Sequence, residues 1–332
     1  MTAIAWLTVF LLSVTPFEKK LINWLKVPRQ DNYACVNDSL HGSLYYPGNR
    51  SGMEHFYQCL DSMLTDGCNV NILHIGGSHV QAGDFSGQMR SNFSRLGEST
   101  ISDRGMIFPF KVLKSNGPWN YFVQYTGEWG RSRCVSETPD VSLGLSGAAA
   151  IAKDPNDSVS FDFRGDMRWA FNRLRIIGEP SSPEVCPIII TDSDTLSFFD
   201  RDEAHESYIF YLGEEKNSFQ LAFRGLDSAQ FVLRGIMPTN DREGIVYTES
   251  GVNGASVPSW LRCTKFKQDL SLIPPDLVIF GIGINDANVP EKEFNPEEFK
   301  ANYRTLIGRI REVSPACSFL FITNNDCYLS LR

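Results

Sequence analysis

Residues 54–66 place Phe56, Tyr57, Leu60, Met63 and Leu64 along one face of a helix, and Gly67 stands where that helix should stop. The period then changes. Val70-Asn71-Ile72-Leu73-His74-Ile75 is short, β-branched and closed by Gly76-Gly77, as a buried strand of a parallel sheet would be. A second helix is predicted over 83–96, with Phe85, Met89, Phe93 and Leu96 as its apolar stripe. Strand, glycine turn and helix in this order open a doubly wound α/β fold.

From about residue 100 to 243 helical periodicity disappears. Short β-rich runs such as Ser158–Phe163, Leu174–Ile177 and Phe231–Leu233 are separated by Asp154-Pro155-Asn156-Asp157, Glu179-Pro180-Ser181-Ser182-Pro183 and Pro238-Thr239-Asn240-Asp241, the punctuation of a β-sandwich. The α/β pattern resumes with strands predicted at 244–248, 276–281 and 318–322. A helix at 296–313 carries Phe299, Tyr303, Leu306, Ile307 and Ile310 as its stripe. Asn295-Pro296-Glu297-Glu298 supplies its cap, first-turn proline and acids at the positive dipole end. No fifth parallel strand or closing helix is visible before Arg332, so the α/β unit is expected to be incomplete there. The expected organisation is an N-terminal segment (1–30), an α/β domain in two parts (31–99 and 244–332), and an all-β insertion between them (100–243).

With 332 residues and 42% hydrophobic content, the chain can bury cores for two domains. A net charge of −8 excludes the clustered basic face that nucleic-acid binding needs. The eight cysteines form no CxxC pair and no spacing that reads as a ligand set, so no metal and no cofactor are expected; disulfides and buried thiols both remain open. The apolar run Ala3–Val14 is shorter than the roughly 20 residues that span a bilayer. It reads as an export-signal core, an uncleaved anchor that would associate the chain with a membrane, or a buried helix.

In open α/β sheets chemistry gathers beyond the carboxyl ends of the strands. The predicted strands are followed there by Gly76-Gly77-Ser78-His79, by Gly251-Val252-Asn253-Gly254-Ala255-Ser256 and by Gly283-Ile284-Asn285-Asp286. A hydroxyl at a helix mouth, a glycine amide and an asparagine amide converging on one point would make a nucleophile with an oxyanion hole. In these blocks, over residues 54–98 and 244–326, the chain resembles the SGNH (GDSL-like) hydrolase superfamily. The resemblance implies a flavodoxin-like three-layer core, with Ser78 as nucleophile and Gly254 and Asn285 as oxyanion donors. Gly77 stands where that family usually has Asp.

The family's Asp-x-x-His dyad should follow the asparagine block, because a serine needs a histidine to take its proton. Asp38-Ser39-Leu40-His41 and Asp202-Glu203-Ala204-His205 match the pattern at the wrong places, so the catalytic His and Asp are expected beyond Arg332. His79 is a poor base, being next to Ser78 in sequence, and His74 reads as a core histidine. Gln81 and Asp84 either line the pocket or serve a helix N-terminus. Trp119, Tyr121, Tyr125, Trp129 and Trp169 are either sugar platforms or sandwich core.

The architecture resembles envelope esterases that deacetylate peptidoglycan or polysaccharide, which implies an exported, periplasmic or envelope location and an O-acylated carbohydrate as substrate. The alternatives are a glycan-binding pseudo-enzyme, a GDSL-type lipase, and a flavodoxin-like phosphate binder at Gly76-Gly77-Ser78-His79.

Overall fold

The computed structural model describes residues 44–47, 49–94, 100–164, 169–192 and 194–323. The N-terminal apolar run and Asp38-Ser39-Leu40-His41 lie outside them. No helix among the described residues is long and apolar enough to cross a membrane.

Helix α1 (Glu54–Asp66) and strand β1 (Val70–Gly76) follow the predicted pattern, with Gly67 ending the helix at φ +70°. One turn of helix, α2 (Ser78–Gln81), precedes α3 (Asp84–Phe93). Between them Gly83 takes φ +77°, and a Cβ there would lie 2.8 Å from the Cβ of Pro118. β2 (Ile101–Asp103) follows.

Next come β3 (Phe122–Thr126), β4 (Gly130–Arg133), β5 (Ala148–Ala152), β6 (Ser158–Asp162), β7 (Phe171–Pro180) and β8 (Cys186–Ile190). They are succeeded by β9 (Thr195–Ser197), β10 (Asp200–Asp202), β11 (Ser207–Lys216), β12 (Ser218–Arg224) and β13 (Phe231–Thr239). The chain returns through β14 (Ile245–Gly251), α4 (Val257–Leu261), α5 (Phe266–Leu270), β15 (Leu277–Gly281), α6 (Pro296–Val313) and β16 (Ser318–Phe321). At the start of α6, Asn295 accepts from the N–H groups of Glu297 and Glu298 at 3.2 Å, the cap its sequence predicts.

The chain is a mixed α/β protein with several sheets. The parallel sheet has the order β16-β15-β1-β14-β2. It has five strands where the sequence pattern shows four. The extra one, β2, sits at its edge inside the stretch assigned to the all-β region, and is too short to carry a period. Val70 and Ile72 of β1 face a cluster with Phe56, Leu60 and Met63 of α1; Leu73 and Ile75 face the opposite cluster with Leu306 and Ile310 of α6. Helices therefore cover both faces, which is why β1 is apolar at successive positions.

Strands β3–β13 form two antiparallel sheets, one of six strands (β10-β11-β7-β13-β5-β4) and one of five (β3-β6-β12-β8-β9). Phe171 and Phe231 of the first meet Phe219 and Phe223 of the second at ring distances of 5.5 and 4.9 Å. The other face of the six-stranded sheet, through Ala149, Ile177, Val232 and Met237, packs into the cluster that holds Trp260 and Phe280. That sheet is buried on both sides, and β13 is accordingly buried at every position but its last, Arg234 included.

The inward face of α3 departs from expectation. Its buried residues are Ser86 and Arg90, whereas Phe85 is 43% exposed and Met89 and Phe93 are half-buried. The cause is Glu249 on β14, whose side chain is only 6% exposed. Ser86 donates to its carboxylate, as do Arg90 at 3.0 Å and Arg104 at 2.9 Å. Burial alone would raise the Glu249 carboxyl, but the two guanidinium groups and Ser86 override it and hold it below its usual value.

A second buried ion pair joins Arg234 of β13 to Asp269 of α5 at 3.2 Å, both side chains fully buried, and Arg234 also reaches Glu206 at 2.8 Å. Removing one partner leaves the other charged and dry. Arg234→Leu should therefore cost about 3–5 kcal/mol, read as a fall in the urea midpoint. Replacing Arg234 and Asp269 together by apolar residues should recover much of that loss.

Candidate active site

β1 lies between β14 and β15, the point from which the strand order departs in both directions and where α/β sheets place their ligand crevice. The register sets Gly76 level with both Gly251 and Gly281, so three neighbouring strands end on glycine at one height. None of the three has room for a side chain. A Cβ at Gly76 would lie 2.2 Å from the Val80 side chain, at Gly251 2.3 Å from the Gln81 nitrogen, and at Gly281 2.7 Å from His74 Nε2. With the glycines in place, the three following loops come together.

Ser78 is the exposed first residue of α2. A Cβ on the preceding Gly77 would lie 3.4 Å from Asn285 Nδ2 and 3.8 Å from the Ala255 carbonyl oxygen. Asn285 Nδ2 donates to that same carbonyl at 2.9 Å. Gly254, next to Ala255, takes φ +80°, a conformation that favours glycine, and only Val135 comes as near as 4.0 Å to its Cβ position. The segments holding Ser78, Gly254 and Asn285, far apart in sequence, are thus in mutual contact. An asparagine amide has two hydrogens, so the bond to Ala255 leaves one for another acceptor.

Polar struts brace these loops. Gln81 is buried; its Oε1 accepts from Asn253 N at 2.7 Å and its Nε2 donates to Ser115 Oγ at 2.8 Å and Asn116 O at 2.5 Å. Asn253 Nδ2 closes the same ring on Asn116 Oδ1 at 2.6 Å. Gln81 is therefore an internal brace, while Asp84 is an exposed first-turn acid of α3. Asp286, beside Asn285, accepts from Val257 N with both carboxylate oxygens at 3.1 Å, tying the asparagine loop to the start of α4. Sequence reading singled out neither Asn253 nor Asp286 for this role; each lies inside a block already flagged for another residue.

The histidines divide. His79 is exposed. His74 is buried, with Nδ1 and the Tyr247 hydroxyl 3.0 Å apart, and burial pushes its pKa down to about 4, so it stays neutral in the core. His205 Nδ1 does pair with Asp202, at 2.8 Å, but its Nε2 lies 3.1 Å from Ser271 Oγ and the carboxylate is shared with Arg175 at 2.8 Å. This Asp-x-x-His match thus engages Ser271 at the end of α5.

Of the flagged aromatics, Tyr121 is buried, and Tyr125, Trp129 and Trp169 are half-buried against the sandwich core. Trp119 is 57% exposed and lies against Gly87 of α3. Tyr125 and Trp129 also line a groove of about 530 Å³ with Lys114, Glu128, Arg131 and Lys153.

The fold is that of a mixed α/β protein with several sheets. Among solved structures, the chain is similar to a peptidoglycan O-acetylesterase, with a TM-score of 0.65 and 18% identity over 82% of this chain and 72% of that one. A family two carbohydrate esterase from Cellvibrio japonicus also matches, at a TM-score of 0.22 and 11% identity over 62% of this chain and 81% of that one; so low a score adds nothing to the assignment. No protein-family model matches the chain, and no curated protein matches it in sequence. The first similarity establishes a shared fold.

Three predictions test this geometry. A methyl group at Gly77 would meet no atom closer than 3.4 Å, so Gly77→Ala should fold and lower the melting temperature less than Gly251→Ala does. Gly251→Ala must displace the backbone of α2 and should lower the melting temperature by several degrees. Burial pushes Asp286 up from 3.8 to about 6, against the pull of the Val257 N–H. Its folded pKa exceeds its unfolded one, so the stability it contributes is complete below about pH 4 and lost as pH rises through about 6. Asp286→Asn should gain stability relative to wild type across that window in urea melts at stepped pH.

Proposed function

We propose that the protein is a serine ester hydrolase of the SGNH type that removes O-acetyl groups from a glycan. The observation that carries this reading is the meeting of the Gly77-Ser78, Gly254-Ala255 and Asn285 segments at the carboxyl ends of β1, β14 and β15. In this mechanism Ser78 Oγ attacks the acetyl carbonyl. The charge that develops on the carbonyl oxygen is met by the Gly254 N–H, the free hydrogen of Asn285 Nδ2 and the Ser78 N–H; the C–O bond to the sugar then breaks, the sugar oxygen leaving with the proton that the general base took from Ser78, and water releases acetate from the acyl-enzyme. The general base and its orienting carboxylate are assigned to residues outside those described, since His205 is engaged by Asp202 and Ser271.

The parallel sheet with its helices is proposed as the catalytic domain, a three-layer SGNH core, and the antiparallel sheets as a domain inserted into it. A carbohydrate substrate is supported by the fold shared with a peptidoglycan O-acetylesterase. It is also supported by the groove at Tyr125 and Trp129, whose ring faces suit a pyranose and whose lysines and arginine suit its oxygens. Export to the cell envelope, by way of the N-terminal apolar segment, belongs to the same proposal.

Hydrolysis of 4-nitrophenyl acetate and acetate release from O-acetylated peptidoglycan test the reading on the whole protein. Ser78→Ala should reduce both to background, and Asn285→Ala should lower kcat by about 100- to 1000-fold. Equal rates for wild type and Ser78→Ala would remove Ser78 from the mechanism. Retained glycan affinity in a wild type that hydrolyses neither ester would identify a glycan-binding pseudo-enzyme.

A further inference from the structure

At the opposite end of the parallel sheet, three side chains of different chemistry converge. His55 and Cys59 lie one turn apart on α1, on the same face, and Asp276 immediately precedes β15. His55 Nε2 is 3.3 Å from Asp276 Oδ1, and Cys59 Sγ is 3.5 Å from each of them. A tetrahedral zinc ion with bonds of about 2.0–2.1 Å to nitrogen and oxygen and about 2.3 Å to sulfur needs edges of about 3.4 Å between nitrogen and oxygen and about 3.5 Å from each to sulfur. All three separations match. We propose that His55, Cys59 and Asp276 form a binding site for a divalent transition metal of the zinc class, with water in the fourth position.

The carboxylate is held ready for this role. Asp276 Oδ2 accepts from Asn71 N at 2.9 Å, its own N–H donates to Asn71 O at 2.8 Å, and its carbonyl accepts from Ser318 N at 2.9 Å. Oδ1 is thereby left facing the imidazole and the thiol, a supporting shell of the kind metal ligands require. The His55 and Asp276 side chains are 37% and 22% exposed, so an ion has a path in from solvent. On binding, the Cys59 thiol proton leaves to solvent, and the neutral imidazole and the carboxylate donate lone pairs without further change.

The ion would join α1 to the starts of β1 and β15. Asn71 and Gly77 are separated by about 20 Å of strand, so the site is separate from the loops around Ser78. The spacing escapes sequence reading because one ligand pair is a helical i, i+4 step and the third ligand stands just before a strand more than two hundred residues later.

The test is titration of the chelator-treated whole protein with Co²⁺, with Zn²⁺ as competitor. One equivalent of Co²⁺ should produce a thiolate-to-metal charge-transfer band that Zn²⁺ abolishes. Zn²⁺ should raise the melting temperature by several degrees. Cys59→Ser should lose the band and the thermal shift. His55→Ala, which alters only a partly exposed side chain, should weaken Co²⁺ binding at least tenfold, and Cys186→Ser, on β8, should bind as wild type does. Absence of the band in the wild type, or its persistence in Cys59→Ser, would overturn the assignment.

Discussion

Three strands that end level on Gly76, Gly251 and Gly281 set the geometry on which the rest of the site depends. In each case the space a Cβ would need is taken by a neighbour: the Val80 side chain, the α2 backbone or the His74 ring. Close approach at this level brings α2 down onto the end of β14. It lets Gln81 bridge to Asn253 and allows the asparagine loop to reach the Ala255 carbonyl. The meeting of the segments that hold Ser78, Gly254 and Asn285 thus follows from a packing constraint one layer below them.

Buried charge does the joining elsewhere. Glu249 draws Arg90 from α3 and Arg104 from the loop after β2. Arg104 in turn lies over the rings of Tyr121, just before β3, and Trp169, just before β7, at 5.1 and 5.5 Å. Arg234 and Asp269 make a comparable link between β13 and α5. Such pairs add little net stability once desolvation is counted, but they tolerate few alternative arrangements. Here they sit where the parallel sheet and its helices meet the strands that interrupt them in sequence, and each is satisfied only when those parts are correctly docked.

Much of the α/β pattern was legible along the chain. α1, β1, β14, β15 and α6 announce themselves by period, and α6 by its Asn295 cap, because these signals involve residues within a few positions of one another. The order of the glycine, serine and asparagine blocks was equally visible. The buried face of α3 was not, since Ser86 and Arg90 turn inward only in response to Glu249, a partner more than 150 residues away. β2 has too few residues to show a period and gains its place from pairing with β14. The second buried face of the six-stranded sheet could not be told from sandwich strands alone.

What the sequence determined by itself was therefore local: which stretches are helix or strand, where they are capped, and which residue types stand after each strand. The tertiary structure alone decided which of those residues meet. It carried Asp202-His205 to Ser271, brought Asp286 to the first turn of α4, and placed Asp276 against His55 and Cys59. The physical reason is that periodicity and capping act over one or two turns of chain, whereas hydrogen bonds, ion pairs and ligand sets form between groups that only packing brings within about 3 Å.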